Sequence, residues 1–214
     1  MELLSFFTWS LFFEPPLLLF AGETEKILFS PTEWEPGVFV FYENPYGAEN
    51  YKKISAGLVP FSWGGVGVKG YLVDPDYRLF VLNLGLKKEI KILSFGILYS
   101  LEIEKIPEDV RVYHHFSPGI SLSYKNLSLF AFPHGAGGDF VFYPLVFSAG
   151  YLNGMPYLAW RVKRGKYLEG YAWIAGSLKG GGIRIGGEKD GFFFLFNLAP
   201  GLGITKMAGW ERRW

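Results

Sequence analysis

Hydrophobic and polar residues alternate along much of the chain from Gly37 onward, and the stretch SFGILYSLEIE at positions 94–104 shows this pattern most clearly. A period of two predicts a β-strand with two unlike faces. The apolar face consists of Phe95, Ile97, Tyr99, Leu101 and Ile103. The opposite face consists of Ser94, Gly96, Ser100, Glu102 and Glu104, with Leu98 as the exception. The apolar face is covered by protein in a soluble sandwich and by lipid in an outer-membrane barrel.

Short segments of the same kind, separated by turn residues, continue to the carboxy terminus. They are GVFVFYENPYG, KKISAGLVPFSW, GVGVKGYLV, RLFVLNLGLKKE, GISLSY, LSLFAF, DFVFYPLVFSAGYL, PYLAWRVKRG, YLEGYAWIAGSL, GIRIGG, GFFFLFNL and GLGITKMAGW. No run of ten or more residues has a convincing helical period. We therefore predict an all-β antiparallel meander, closed as a transmembrane β-barrel of about 12 strands with a range of about 10–14.

Basic residues recur in mid-strand on the face opposite the apolar one. The apolar residues of two later strands are Leu158, Trp160, Val162, Ile183 and Ile185, and the basic residues opposite them are Arg161, Lys163 and Arg184. Glycines and charges on one face of a closed sheet favour an apolar outer face in lipid and a polar lumen, as in the bacterial outer membrane. The alternative is a soluble protein, periplasmic or extracellular, whose sandwich or barrel turns the apolar residues inward to bind an apolar ligand.

Strand length and aromatic residues favour the membrane interpretation. The twelve residues from Leu93 to Glu104 extend roughly 40 Å, which at a tilt near 45° rises about 28 Å and is enough for the hydrocarbon layer. Aromatic residues near the strand ends predict two interfacial girdles. They are Trp63, Tyr71, Tyr113, Tyr143, Tyr151, Tyr157, Tyr167 and Trp210.

Composition excludes several classes of function. The 214 residues are 50% hydrophobic and 19% aromatic, which fits one β domain, assigned to residues 31–214, with many aromatic residues at a boundary. A net charge of +1 from scattered Lys and Arg gives no nucleic-acid partner. The absence of cysteine excludes disulfides and thiolate metal sites. Because glutamine is absent and Lys and Glu carry most of the charge, we expect a thermophilic source.

The two chain ends carry separate signals. Residues 1–30 contain an apolar run that ends at Ala21 and Gly22 and is interrupted by the triplet EPP at positions 14–16. This segment fits a signal-like sequence, or an extra pair of strands joined by a Pro-Pro turn, with a helix as a third possibility. The terminal WERRW resembles the aromatic end that the insertion machinery of bacterial barrels reads, although residues 211–213 are expected to interrupt the strand alternation.

Two histidines supply the candidate chemistry. His115 and Ser117 share a strand face, whereas the adjacent His114 points to the other face. The HFS sequence resembles the His-x-Ser motif of membrane-embedded lipid A deacylases, which would make His115 and Ser117 the catalytic pair of a lipid-modifying hydrolase. Pro118 stands where that family has Asn. His134 is remote in sequence and no metal-ligand spacing occurs, so no metal site or cofactor is expected.

About sixty residues resemble a family. The motif ENPYGAEN, with Asn44, Pro45, Gly47 and Ala48, precedes GVGV at positions 65–68 and LGL at positions 84–86. These features resemble the early barrel of the long-chain fatty acid transporter superfamily, which includes small barrels associated with type IX secretion. Full-size fatty-acid transporters have fourteen strands and an amino-terminal plug, and this chain is about half as long.

This resemblance leads to the functional prediction. It implies contact with membrane lipid and a hydrophobic small molecule or a secretion-system component as partner. We therefore predict a non-enzymatic outer-membrane barrel that is structural or lets hydrophobic compounds pass. The lipid-modifying hydrolase and the soluble apolar-ligand binder are the alternatives.

Overall fold

A computed structural model of the chain describes residues 25–28, 30–73, 77–152, 154–165 and 167–214. Residues 1–24, on which most of the signal-like or extra-strand prediction falls, lie outside this range. Fourteen antiparallel strands form one closed barrel, in which each strand pairs with its neighbours in sequence and the first strand pairs with the last. The predicted all-β closed meander is confirmed, and the strand number lies at the upper limit of the expected range.

The strands follow one another through short turns. They are β1 Gly37–Asn44, β2 Tyr51–Phe61, β3 Gly64–Val73, β4 Tyr77–Ile90, β5 Leu93–Ile106, β6 Asp109–Tyr124, β7 Leu127–Phe132, β8 Gly135–Phe142, β9 Leu145–Leu152, β10 Met155–Arg164, β11 Leu168–Ala175, β12 Leu178–Gly186, β13 Asp190–Ala199 and β14 Gly203–Arg213. Two short 3₁₀ helices, Glu25–Leu28 and Pro45–Gly47, precede β1 and β2. None of the helices among the described residues is long and apolar enough to cross a membrane.

The barrel has two distinct rims, because an even number of strands brings the start of β1 and the end of β14 to the same end. At this terminal rim the backbone N–H of Arg213 donates to the carbonyl of Lys189 in the β12–β13 turn, at 2.8 Å. At the opposite rim the backbone N–H of Tyr46 donates to the Thr205 hydroxyl, at 3.0 Å. The turns of the barrel are thus divided between these two ends.

Strand parity decides which side chains are buried. In β13, Phe192 and Phe194 are 57% and 51% exposed, whereas Phe193 and Leu195 between them are 1% and 3% exposed. Successive side chains of a strand point to opposite faces, so neighbouring phenylalanines of β13 lie alternately on the outer surface and inside the barrel. Leu98, the exception in the polar file of β5, lies inside the barrel and is 3% exposed.

Two expectations from the sequence are wrong in part. Glu211 is 1% exposed and continues the inward file of β14, so the carboxy-terminal residues do not interrupt the alternation of the last strand. Tyr71 and Tyr157, assigned to aromatic girdles, are each 4% exposed and lie inside the barrel, because their positions belong to the inward files of β3 and β10. Girdle membership of the other aromatic residues stays a prediction.

The barrel wall is of unequal height. Strands β4, β5 and β6 have 14, 14 and 16 residues, whereas β7, β8 and β9 have 6, 8 and 8 residues. The β6–β7 ladder covers only Ile120–Tyr124 of β6. The remainder of β6 and its partner β5 therefore rise beyond the short strands at the rim opposite the chain ends.

Candidate functional site: the occluded lumen

Much of the barrel interior is filled by apolar side chains. The inward files of six strands contribute to one buried cluster of Phe39, Phe41, Val59, Ala159, Tyr171, Trp173, Phe193, Leu195 and Met207. The sequence predicted a lumen of Ser, Gly, Lys, Arg and Glu, and it missed this cluster. The available signal was the run FFFLF in β13, since a strand that is apolar on both faces is covered on both faces.

The chain immediately before β1 lies within this interior. Residues 25–36, described except for position 29, are termed here the lumen segment. Leu28 and Trp34 belong to the buried apolar cluster, and the 3₁₀ helix of this segment contacts β2, β3 and β4. Buried Ser30 accepts a hydrogen bond from the backbone N–H of Glu33 at 3.0 Å, which turns the chain back on itself. The segment is therefore part of the packed core.

Two inward glycines provide the space for the lumen segment. A Cβ atom on Gly96 of β5 would collide with the carbonyl oxygen of Pro31, and one on Gly119 of β6 would collide with the Pro31 ring. These two glycines are paired across the β5–β6 ladder. Glycine is required here because the backbone of the lumen segment lies directly against the barrel wall.

Polar contacts hold the same segment at its carboxy-terminal part. The Lys87 ammonium donates to the carbonyl of Trp34 at 2.9 Å and lies 5.3 Å from the centroid of the indole ring. Lys87 also forms an ion pair with Glu89 at 2.9 Å. Arg213, at the end of β14, forms an ion pair with Glu35 at 3.1 Å. The lumen segment is thus attached to β4 and to the last strand.

A buried ion pair lies nearer the opposite rim. Lys53 and Glu43 approach to 3.1 Å with side chains that are 2% and 5% exposed. The ammonium of Lys53 also lies 5.3 Å from the centroid of the Tyr71 ring. In the adjoining turn, burial and the neighbouring Glu43 raise the pKa of the Tyr46 phenol, while Lys53 acts in the opposite direction. The charges of Lys53 and Glu43 therefore compensate each other within the interior.

A second polar cluster surrounds Glu169. The Tyr171 hydroxyl donates to this carboxylate at 2.8 Å, and Arg184 and Lys163 lie 3.6 Å and 3.7 Å from it. Lys163, Glu169 and Arg213 also line a cavity of about 530 Å³ at the terminal rim. Three acidic residues (Glu35, Glu169 and Glu188) and three basic residues (Lys163, Lys189 and Arg213) line this cavity, so it has no strong preference for either sign of charge.

The structure places the predicted outer residues as follows. Phe95, Ile97, Leu158, Trp160 and Val162 are between 39% and 58% exposed on the outer surface. Tyr99, Leu101 and Ile103 on the same file are half-buried. The hydroxyl of Tyr99 is hydrogen-bonded to Nδ1 of His114 at 2.8 Å. Contact of this surface with lipid stays a prediction.

The predicted lumen residues lie on the opposite files. Arg184 is 3% exposed, Gly96 is buried, and Ser94, Ser100, Glu102, Arg161 and Lys163 are half-buried. Ser100 donates to the side-chain oxygen of buried Asn83 at 2.6 Å. These residues line a packed interior in which most polar groups are engaged with one another.

The candidate hydrolytic pair has only part of the geometry that catalysis needs. Nε2 of His115 lies 3.6 Å from the carboxylate of Glu102, a neighbour that the sequence could not place. Among the described residues, however, the Ser117 hydroxyl makes no hydrogen bond to His115, although a nucleophile and its base need to be within such reach. The arrangement therefore gives no support for a nucleophilic serine.

Comparisons with known proteins give likeness in shape without likeness in sequence. No family model matches the chain, and no curated protein matches it. The KdgM porin, solved in complex with disordered oligogalacturonate, is 9% identical with a TM-score of 0.46, covering 83% of this chain and 99% of that one. The outer membrane protein Omp33 of Acinetobacter baumannii is 9% identical with a TM-score of 0.49, covering 86% and 100%. Likenesses of this size establish neither family membership nor function.

Proposed function

We propose that this chain is a non-enzymatic barrel of the bacterial outer membrane whose lumen segment occludes the interior, and that small hydrophobic compounds pass when this segment moves. The observation that carries the proposal is the outer surface. Every one of the fourteen strands exposes at least one large hydrophobic side chain there. Soluble monomers rarely expose contiguous apolar patches larger than a few hundred Å², and this surface surrounds the whole barrel.

The distribution of charge supports a membrane location. The buried Lys53, Glu43 and Arg184 all lie on inward files, and in β13 the outward file runs Phe192, Phe194, Phe196 and Leu198. Outer-membrane barrels place apolar residues on the lipid side and polar residues on the lumen side. The soluble alternative requires the apolar files to face inward, and Phe95, Ile97 and Leu158 do not meet that requirement.

The proposal also draws on the resemblance to the fatty-acid transporter superfamily. Full-size members of that superfamily have fourteen strands and an amino-terminal plug, and this chain, although about half as long, has fourteen strands with Leu28 and Trp34 buried inside the barrel. Membership in the superfamily stays a prediction. An apolar interior favours hydrophobic compounds over ions or sugars, because a charged solute would be desolvated against Phe39, Phe41 and Phe193.

Membrane residence is tested by fractionation. We expect the protein to sediment with outer membranes, to resist extraction by alkaline carbonate and to require detergent for release. We also expect the folded barrel to migrate differently from the heat-denatured chain in electrophoresis. Release into buffer without detergent would contradict the membrane assignment.

Occlusion is tested with the glycine that contacts Pro31. In Gly96→Val the added side chain collides with the lumen segment, so we expect cells that make this variant to take up an apolar fluorescent dye across their lipopolysaccharide-containing outer membrane faster than cells that make the parent protein. Gly70→Val is the matched control, because a Cβ atom at Gly70 has no atom within 4 Å. Equal passage by all three folded proteins would contradict gating by this segment, and rapid passage by the parent would contradict occlusion.

A further inference from the structure

One strand of the barrel has an unpaired edge. β5 pairs with β6 along its whole length, from Ile106 opposite Asp109 to Leu93 opposite Leu122. β7 pairs with β6 only from Ile120 onward. Between Asp109 and Gly119, β6 therefore has a strand neighbour on one side only, among the residues that the structure describes.

A single backbone hydrogen bond shows which residues of β6 direct their N–H and C=O groups toward β5 and which direct them away from it. The backbone N–H of Ser123 donates to the carbonyl of Ile92 at 2.8 Å, which directs this odd-numbered residue toward β5. The β5–β6 register continues from there to Asp109 without a bulge. Since backbone groups alternate in direction along a strand, the N–H and C=O groups of Val110, Val112, His114 and Phe116 point away from β5.

The edge is accessible, and the fixed charges on it, Asp109 and Arg111, pair with each other at 2.9 Å. All eight residues from Asp109 to Phe116 are exposed, and Val110, Val112 and Phe116 are 58%, 51% and 70% exposed. Natural edge strands are commonly protected by lysine, proline or a bulge. This edge has no lysine and no bulge, and its one proline, Pro118, stands at the base, where β7 begins to pair.

We propose that the free edge of β6, residues 109–117, binds an extended segment of another polypeptide as an additional β-strand. Backbone pairing with an exposed strand edge supplies affinity, and the alternating side chains supply specificity. On the outer face the new strand adjoins Val110, Val112 and Phe116, so its outward residues are apolar.

The inner face of β6 determines which side chains the partner segment needs on its inward side. On this face Asp109 and Arg111 form an ion pair at 2.9 Å, and β5 adds two carboxylates, Glu102 at 3.6 Å from His115 and Glu104, which accepts a hydrogen bond from the Tyr113 hydroxyl. With His neutral, the inner face carries a net negative charge. The inward residues of the partner are therefore polar or basic, and the expected segment alternates apolar with basic residues.

A second copy of this chain does not fit the edge. Two copies inserted in one membrane with the same orientation are related by a rotation about the membrane normal. Such a rotation places the two β6 edges parallel to each other, with the outer face of one copy next to the inner face of the other. The apolar face containing Val112 would then continue into the charged face containing Arg111. A separate extended segment has no such constraint, because it can present its apolar side outward.

The test uses the full-length protein in detergent and a synthetic probe. The probe is a nine-residue peptide that alternates valine and lysine and is N-methylated on its lysines, so that it offers one hydrogen-bonding edge and cannot form sheets with itself. The control peptide is N-methylated at every residue. We expect the probe to bind, measured by fluorescence anisotropy, and to slow hydrogen exchange at the amides of Val110, Val112, His114 and Phe116. The control peptide should do neither.

A pair of variants separates edge pairing from unspecific adsorption. Val112→Pro removes one free edge N–H and leaves the β5–β6 hydrogen bonds intact, whereas Val112→Ala retains that N–H and removes apolar surface. We expect Val112→Pro to bind the probe about three- to tenfold more weakly than Val112→Ala, because one backbone hydrogen bond is lost. Unaltered electrophoretic heat modification shows that both variants are folded.

Three results would overturn the proposal. The first is equal binding of the probe by both folded variants, which indicates adsorption without edge pairing. The second is the absence of binding to the parent protein. The third is slow exchange of the amides of Val110 and Val112 in the protein alone, which would mean that another part of the chain already covers this edge.

Discussion

At the scale of single residues, the ion pair between Lys53 and Glu43 shows the cost of placing charge inside the barrel. The two groups are 3.1 Å apart and almost completely buried. Removing one partner of such a pair leaves an uncompensated buried charge, which typically destabilises a protein by about 3–5 kcal/mol. Replacing both partners removes the cause of that cost.

We expect Lys53→Met to lower the free energy of unfolding by about 3–5 kcal/mol, and the double variant Lys53→Met with Glu43→Gln to recover most of this loss. The measurement is urea unfolding in lipid vesicles, followed by tryptophan fluorescence. A double variant as unstable as the sum of two single variants would show that the two side chains do not interact.

Ile97 and Leu98 are adjacent residues with opposite environments. Ile97 is 55% exposed on the outer surface, whereas Leu98 is 3% exposed inside. If the outer surface contacts lipid, a photo-reactive group at position 97 crosslinks to acyl chains and the same group at position 98 does not. In vesicles, Ile97→Arg should destabilise the barrel by about 2–4 kcal/mol if the residue lies near the bilayer midplane. Equal crosslinking at both positions would refute the facial assignment.

At the scale of elements, the attachment of the lumen segment depends on Lys87. Its ammonium bonds the Trp34 carbonyl and lies near the indole ring, while the next residue, Lys88, is exposed on the outer side. We expect Lys87→Met to loosen the segment and Lys88→Met to leave it in place.

Thiol labelling measures this loosening, because the chain contains no cysteine. Thr32 is 3% exposed within the segment, so Thr32→Cys should react slowly with a polar maleimide. Adding Lys87→Met should increase the labelling rate by about tenfold, since one charge-assisted hydrogen bond is lost. No difference between Lys87→Met and Lys88→Met would show that this bond does not hold the segment.

At the scale of the whole molecule, the even strand number fixes which turns share a rim of the barrel, and in the proposed outer-membrane location each rim lies on one side of the membrane. The turn at residues 187–189 lies at the terminal rim, and the turn at residues 200–202 lies at the other rim, beside the 3₁₀ helix Pro45–Gly47. Outer-membrane barrels have the longer loops outside the cell. The six residues between β1 and β2 form the longest described turn, which favours an external position for the rim opposite the chain ends.

We therefore expect an impermeant thiol reagent to label Leu202→Cys on intact cells and to label Gly187→Cys only after the outer membrane is opened. Both positions are suitable, since Leu202 is 54% exposed and a Cβ atom at Gly187 has no atom within 4 Å. Labelling of Gly187→Cys alone would reverse the orientation, and labelling of both on intact cells would exclude a membrane-spanning barrel.

The sequence by itself determined the class of structure. The alternation in β5 predicted the strand, its two faces and the inward position of Gly96 and Ser100, because a period of two has one structural interpretation. It also predicted the closed meander, since about a dozen half-apolar strands in succession bury their edges by closure. These features depend on local geometry that each strand repeats.

Only the tertiary structure decided what fills the barrel. Pro31 contacts Gly96 and Gly119, and Trp34 contacts Lys87, across separations of more than fifty residues that no local pattern records. Among the described residues, the part of β6 that β7 does not reach likewise results from the difference in length between β6 and β7, and neither strand reveals it alone. Alternation gives the face of each residue, whereas the neighbour on that face depends on register and closure around the whole barrel.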